Sequence, residues 1–142
     1  MLPVIIISNH FSDKDRQSNT SLTYAIRSGN PDIVRLLLKK GSDIEARNQY
    51  DNTPLMTAVA CEQEIIVQLL IERGAKLETV NEYGNNALCI AVMNDQKSMA
   101  RILLDDGANP YIPVKYLKNA SSEIIELLNS YKSTEKWLHK IF

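Results

Sequence analysis

The sequence predicts an all-α solenoid of stacked helix-turn-helix units, and three observations carry that expectation. The chain aligns with itself without gaps at a period of 33 residues, as Ser18–Tyr50, Asp51–Tyr83 and Gly84–Tyr116. Leucines (Leu22, Leu55, Leu88), alanines (Ala25, Ala58, Ala91), a second set of leucines (Leu37, Leu70, Leu103) and glycines (Gly41, Gly74, Gly107) fall in register. Each copy holds two short stretches with apolar residues at helical spacing. A period of this length is the signature of a repeat array, in which one unit cannot bury its apolar face alone and must stack on a neighbour.

The second copy shows the grammar most completely. Thr53 is a good N-cap, and Pro54 occupies the first helical position, where a missing N–H costs nothing. Leu55, Ala58 and Val59 follow on one face. A second helix contains Ile66, Val67, Leu69, Leu70 and Ile71 and ends at Gly74, a natural left-handed cap. The first copy repeats this with Thr20 as cap, and opens its second helix with Asn30-Pro31. Lys39 and Lys40 suit that helix's negative end, whereas Asp105 and Asp106 at the equivalent end are mildly unfavourable. The segments after the glycines, Ile44–Arg47 and Leu77–Val80, read as strand-like and project sideways into a turn.

The T-P-L-M-x-A run of Thr53–Ala58 and the I-V-x-L-L-L-x-x-G run of Ile33–Gly41, recurring at this period, resemble the ankyrin repeat. The resemblance implies a unit at 15–47, a second at 48–80 and a third at 81–113. Residues 1–14 then read as an N-terminal cap or truncated repeat, since Val4–Ile7 fall where an upstream second helix would finish. Residues 114–131 read as a capping repeat shortened by about eight residues, with Ile124, Ile125, Leu127 and Leu128 in its second helix. One departure stands out: the histidine of the family's T-P-L-H motif is absent, replaced in T-S-L-T (Thr20–Thr23) and N-A-L-C (Asn86–Cys89). The Thr–His hydrogen-bond network of the family is not expected here, and stability is expected to fall below that of a consensus array.

The resemblance further implies that a partner protein binds the hairpin tips and the concave face of the first helices. The positions that match are Arg16, Gln17 and Asn19 on one tip, Arg47, Gln49, Tyr50 and Asn52 on the next, and Val80, Glu82, Tyr83 and Asn85 on the third. On the helix face they are Arg27, Ser28, Ala60, Cys61, Met93 and Asn94. Tyr50 and Tyr83 share one repeat position, and tyrosine is a common interface anchor. Packing of each tyrosine on its own hairpin is the alternative. Asn19, Asn52 and Asn85 fit a turn role as well as a contact role.

Charge and composition exclude much else. A net charge of −1 gives no reason to expect nucleic acid as partner. Residues 48–113 carry four Lys/Arg against nine Asp/Glu, while 1–47 and 114–142 are each net +2. The middle units therefore present either an acidic surface to a basic partner or a solvated face. Cys61 and Cys89 lack metal-type spacing and read as reduced thiols. The apolar run Leu2–Ile7 is too short for a signal segment or a membrane span, so a cytoplasmic setting (or delivery into a host cytoplasm) is expected, and the sequons at Asn19 and Asn119 read as chance. His10 and His139 lie at opposite ends of the stack, no phosphate loop or HExxH is present, and the reading is non-enzymatic, without cofactor or metal.

Residues 132–142 form an amphipathic tail with Trp137, Leu138, Ile141 and Phe142 in one stripe. It reads as a lid over the last unit, with docking to a partner or a membrane surface as the alternative. The expectation is a monomeric protein-binding module, one that masks or inhibits its partner as an effector, immunity or regulatory protein does. The alternatives are an adaptor tethered to a membrane through the tail and self-association through Leu2–Ile7.

Overall fold

Helix-capping chemistry spaces the elements along the chain. The computed structural model describes residues 20–134; the expected N-terminal cap at 1–14, the tip residues Arg16, Gln17 and Asn19, both histidines and the Trp137–Phe142 stripe lie outside the described residues. Eight helices are present among them, with no strand: α1 (Ser21–Ser28), α2 (Pro31–Lys39), α3 (Pro54–Ala60), α4 (Glu64–Glu72), α5 (Ala87–Met93), α6 (Lys97–Asp105), α7 (Val114–Leu117) and α8 (Ser122–Lys132). Thr20, Thr53 and Asn86 each accept the backbone N–H three residues on, at 3.3, 3.3 and 2.9 Å, and so start α1, α3 and α5 at one repeat position. Asn30 starts α2 in the same way, with Pro31 behind it.

The second helices α2, α4 and α6 each run out into a glycine. At Gly74 (φ 87°) the chain turns left-handed, Gly74 N donates to Ile71 O and Ala75 N to Leu70 O, which satisfies two carbonyls that the helix leaves open. The equivalent bonds recur at Gly41 and Gly107. In the first three units the turn between the two helices also holds a left-handed residue. Gly29 supplies it in the first, but Glu62 (φ 56°) and Asp95 (φ 54°) adopt it in the others. An L side chain in that conformation costs about 1 kcal/mol or more.

The helices form two layers. First helices pack in a row, α1 on α3, α3 on α5 and α5 on α7, while α2 meets α4 and α6 meets α8 in the second layer. The core lies between the layers, and one leucine position runs through it from end to end. Leu37, Leu70, Leu103 and Leu128 are all essentially inaccessible to water. Leu128 is in register only after the eight-residue shortening is counted. Ala58 and Ala91 are fully buried, which lets the first helices approach closely. No helix among the described residues is long and apolar enough to cross a membrane.

Two expectations need correction. The segments Ile44–Arg47 and Leu77–Val80 are not strands, because adjacent hairpins share a backbone bond from Glu82 N to Tyr50 O (3.2 Å) rather than a ladder. Each hairpin instead closes on itself, Asn48 N to Asn52 O and Asn81 N to Asn85 O. Asp105 is not merely a misplaced charge at a helix end: its carboxylate accepts the Tyr131 hydroxyl of α8 and ties the terminal unit to its neighbour. Where the family carries histidine, Thr23 sits 3.3 Å from the Thr20 hydroxyl, while Met56 and Cys89 are simply buried.

Candidate partner-binding surface

Two asparagines build the tips. Asn48 Oδ1 accepts the backbone N–H groups of Tyr50 (2.9 Å) and Asn52 (3.0 Å), and Asn81 Oδ1 does the same for Tyr83 and Asn85 (both 3.0 Å). Both asparagines are buried, so each fixes its tip from below. Sequence reasoning passed over this pair. The recurring N-x-Y-x-N of Asn48–Asn52 and Asn81–Asn85 was the available signal.

The tips are also tied to each other. Asn81 Nδ2 donates to Asn52 Oδ1 at 2.8 Å, and Arg47 Nη1 reaches Val80 O at 3.2 Å while lying 3.8 Å from Asp51 Oδ2. Lower down, Glu45 Oε1 accepts Lys76 N (2.8 Å) and Glu78 Oε1 accepts Asn109 N (2.7 Å), one repeat on. Asn85, expected at a contact position, is buried, and its Oδ1 accepts the Tyr116 hydroxyl of α7. Asn52 is likewise engaged inside the row of tips.

What remains outward is aromatic and weakly charged. Tyr50 is 44% exposed, Val80 47% and Tyr83 62%, with Gln49 and Glu82 exposed beside them. The Glu82 carboxylate holds the Tyr83 phenol above its ordinary pKa, first by hydrogen bonding and then by charge. Packing onto their own hairpins therefore does not bury these two tyrosines.

Along the first helices, Arg27, Ala60 and Met93 share one position and are all exposed, and Asn94 follows Met93 on the same side. Ser28 turns back to donate to Ala25 O at 2.8 Å. Cys61 is an exposed free thiol and Cys89 a buried one, its pKa pushed up chiefly by burial. Neither α3 nor α5 contains a charged residue. The second helices carry the charge instead, from Asp32 and Arg35 on α2 to Glu123 and Glu126 on α8. No group of three or more His, Cys, Asp or Glu placed to hold a metal ion occurs among the described residues.

The repeated geometry has a counterpart in comparison with known proteins. A family model described as ankyrin repeats (3 copies) matches residues 4–48 and 44–113. No curated protein matches the chain. With most of its length covered by that model and its helix pairs stacked as the period requires, the chain belongs to the ankyrin-repeat family, whose repeats are generally non-enzymatic protein–protein interaction modules.

Proposed function

We propose that this protein binds a folded partner through the tips carrying Tyr50 and Tyr83 and the adjoining first-helix face of Arg27, Ala60, Met93 and Asn94, and that it acts in a cytoplasm by covering the partner's surface. The observation that carries this reading is the repetition of the surface: Tyr50 and Tyr83 stand exposed at one tip position, Arg27, Ala60 and Met93 stand exposed at one first-helix position, and α3 and α5 carry no charged residue. Aromatic residues held on a fixed backbone lose little entropy when they dock, which favours them as anchors. Gln49 and Glu82 form the polar edge of the same surface.

Affinity capture from native extract tests it, comparing the wild type with a Tyr50→Ala/Tyr83→Ala double variant whose helicity is checked by circular dichroism. The variant is expected to lose a partner that the wild type holds. A partner retained at full strength by the folded variant removes the tyrosines from the site, and no capture by the wild type removes the reading itself.

A further inference from the structure

We propose that residues 1–14, which lie outside the described residues, close the upstream face of the first unit, with Val4 and Ile5 in the places that Leu37 and Leu38 hold one unit on. The face shows in the burial of equivalent positions. Ile66 and Leu69 on α4 are 1% and 4% exposed, and Ile124 and Leu127, at the same places on α8, are also buried. Since α8 packs on α6 of the preceding unit, these positions look upstream. In the first unit they are Ile33, half-buried, and Leu36, 40% exposed. Tyr24 on α1 repeats the contrast at 45%, where Thr57 one unit on is 8%. Tyr24, Ile33 and Leu36 therefore mark an apolar face of the kind that each later unit covers with its predecessor.

Chain length and register name the occupant. Twelve positions lead from Gly41 to Thr53 and from Gly74 to Asn86, and twelve lead from Ser8 to Thr20. A connection of that length sets α2 beside α4 and α4 beside α6, so it brings Leu2–Ile7 to the same place beside α2. Val4 and Ile5 are apolar where Leu37 and Leu38, and again Leu70 and Ile71, meet the core. Asp15 occupies the position from which Asn48 and Asn81 fix their tips, and aspartate has the side-chain oxygen that such a turn uses.

The match to ankyrin repeats supports the same register independently, because it begins at residue 4 and runs on through residue 48. A second copy of the chain could offer the face the same apolar run. The tethered segment has the advantage, since a short connection holds it at an effective concentration on the order of millimolar. This assignment goes beyond the partner-binding reading and uses none of its residues.

The test compares two variants of the full-length protein that place the same charge in the same apolar run. Val4→Asp/Ile5→Asp puts it at the inward register, and Leu2→Asp/Ile7→Asp puts it where Arg35 and Lys40 stand exposed one unit on. Amide hydrogen exchange in α1 and α2 is expected to quicken about tenfold in the first variant and to keep its wild-type rate in the second, with α4 and α6 unchanged in both. Should the aspartates melt the whole stack, Val4→Ala/Ile5→Ala decides by the same measure: faster exchange in α1 and α2 supports the seat, and wild-type exchange overturns it. Exchange left unchanged by both aspartate variants, or quickened equally by both, overturns the assignment. So does a sedimentation mass that rises with wild-type concentration and returns to the monomer in Val4→Asp/Ile5→Asp, which gives the face to a second copy.

Discussion

The middle unit, α3 with α4, keeps the whole repeat pattern, whereas the terminal unit, α7 with α8, keeps only its second half in full. Both bury their second helix. Ile66 and Leu70 on α4 have Ile124 and Leu128 as counterparts on α8, and none of the four is more than 1% exposed. The first helix is another matter: α3 runs Pro54–Ala60, while α7 is the single turn Val114–Leu117 and buries none of its residues. Of the tip only Tyr116 survives, its hydroxyl now bound to Asn85. What the terminal unit lacks is a full first helix and tip; in the other units both helices join neighbours, the first helices in a row and the second helices in the layer behind.

Equivalent core leucines in the two units should therefore weigh differently. Leu70→Ala, beside the full first helix α3, is expected to cost about 3–4 kcal/mol in urea unfolding, and Leu128→Ala about 2–3 kcal/mol, since the first helix of its unit is a single turn that buries none of its residues. An equal or larger loss at Leu128 would make the terminal unit as central as the middle one.

The joint with α7 and α8 can be tested with two hydroxyls. Tyr116→Phe strips the donor from a buried acceptor on Asn85 and should cost about 1–2 kcal/mol, whereas Tyr131→Phe removes a bond at an exposed carboxylate and should cost about 0.5 kcal/mol. Reversed magnitudes would show that the outer contact, and not the remnant of the tip, fastens the terminal unit.

The smallest effect comes from the other end. Ser42 occupies the position of Ala75 and Ala108, is buried, and its Oγ finds no hydrogen-bond partner among the described residues. Ser42→Ala should therefore raise the thermal midpoint, for a gain of about 1 kcal/mol. A loss would mean that the hydroxyl is satisfied in solution and that the first unit is joined to the second differently from the rest.

Much of this architecture was legible because its chemistry is local. The caps at Thr20, Thr53 and Asn86 act three residues away, the glycine stops act over six, and periodic leucines declare a buried stripe without reference to the rest of the chain. The candidate surface was legible only in part. Tyr50, Tyr83 and Met93 stand outward as the repeat register implied, but Asn85 went inward because its partner Tyr116 lies 31 residues on, in a unit whose shortening changes what the position does. The acid-lined space between the α3–α4 and α5–α6 turns was not legible for the same reason: Glu62 and Asp95 are 33 residues apart and line it together only because the two units stack.

The bonds from Glu45 to Lys76 N and from Glu78 to Asn109 N carry a consequence for change over time. In each, a side chain grips the main chain of the following unit, so the receiving residue is lysine in one case and asparagine in the other without harm to the joint. A coupling that is blind to half of its own sequence lets units be duplicated, exchanged or grafted while the join survives. Recognition can then drift from one surface to another, one unit at a time, on a framework that never has to be reinvented.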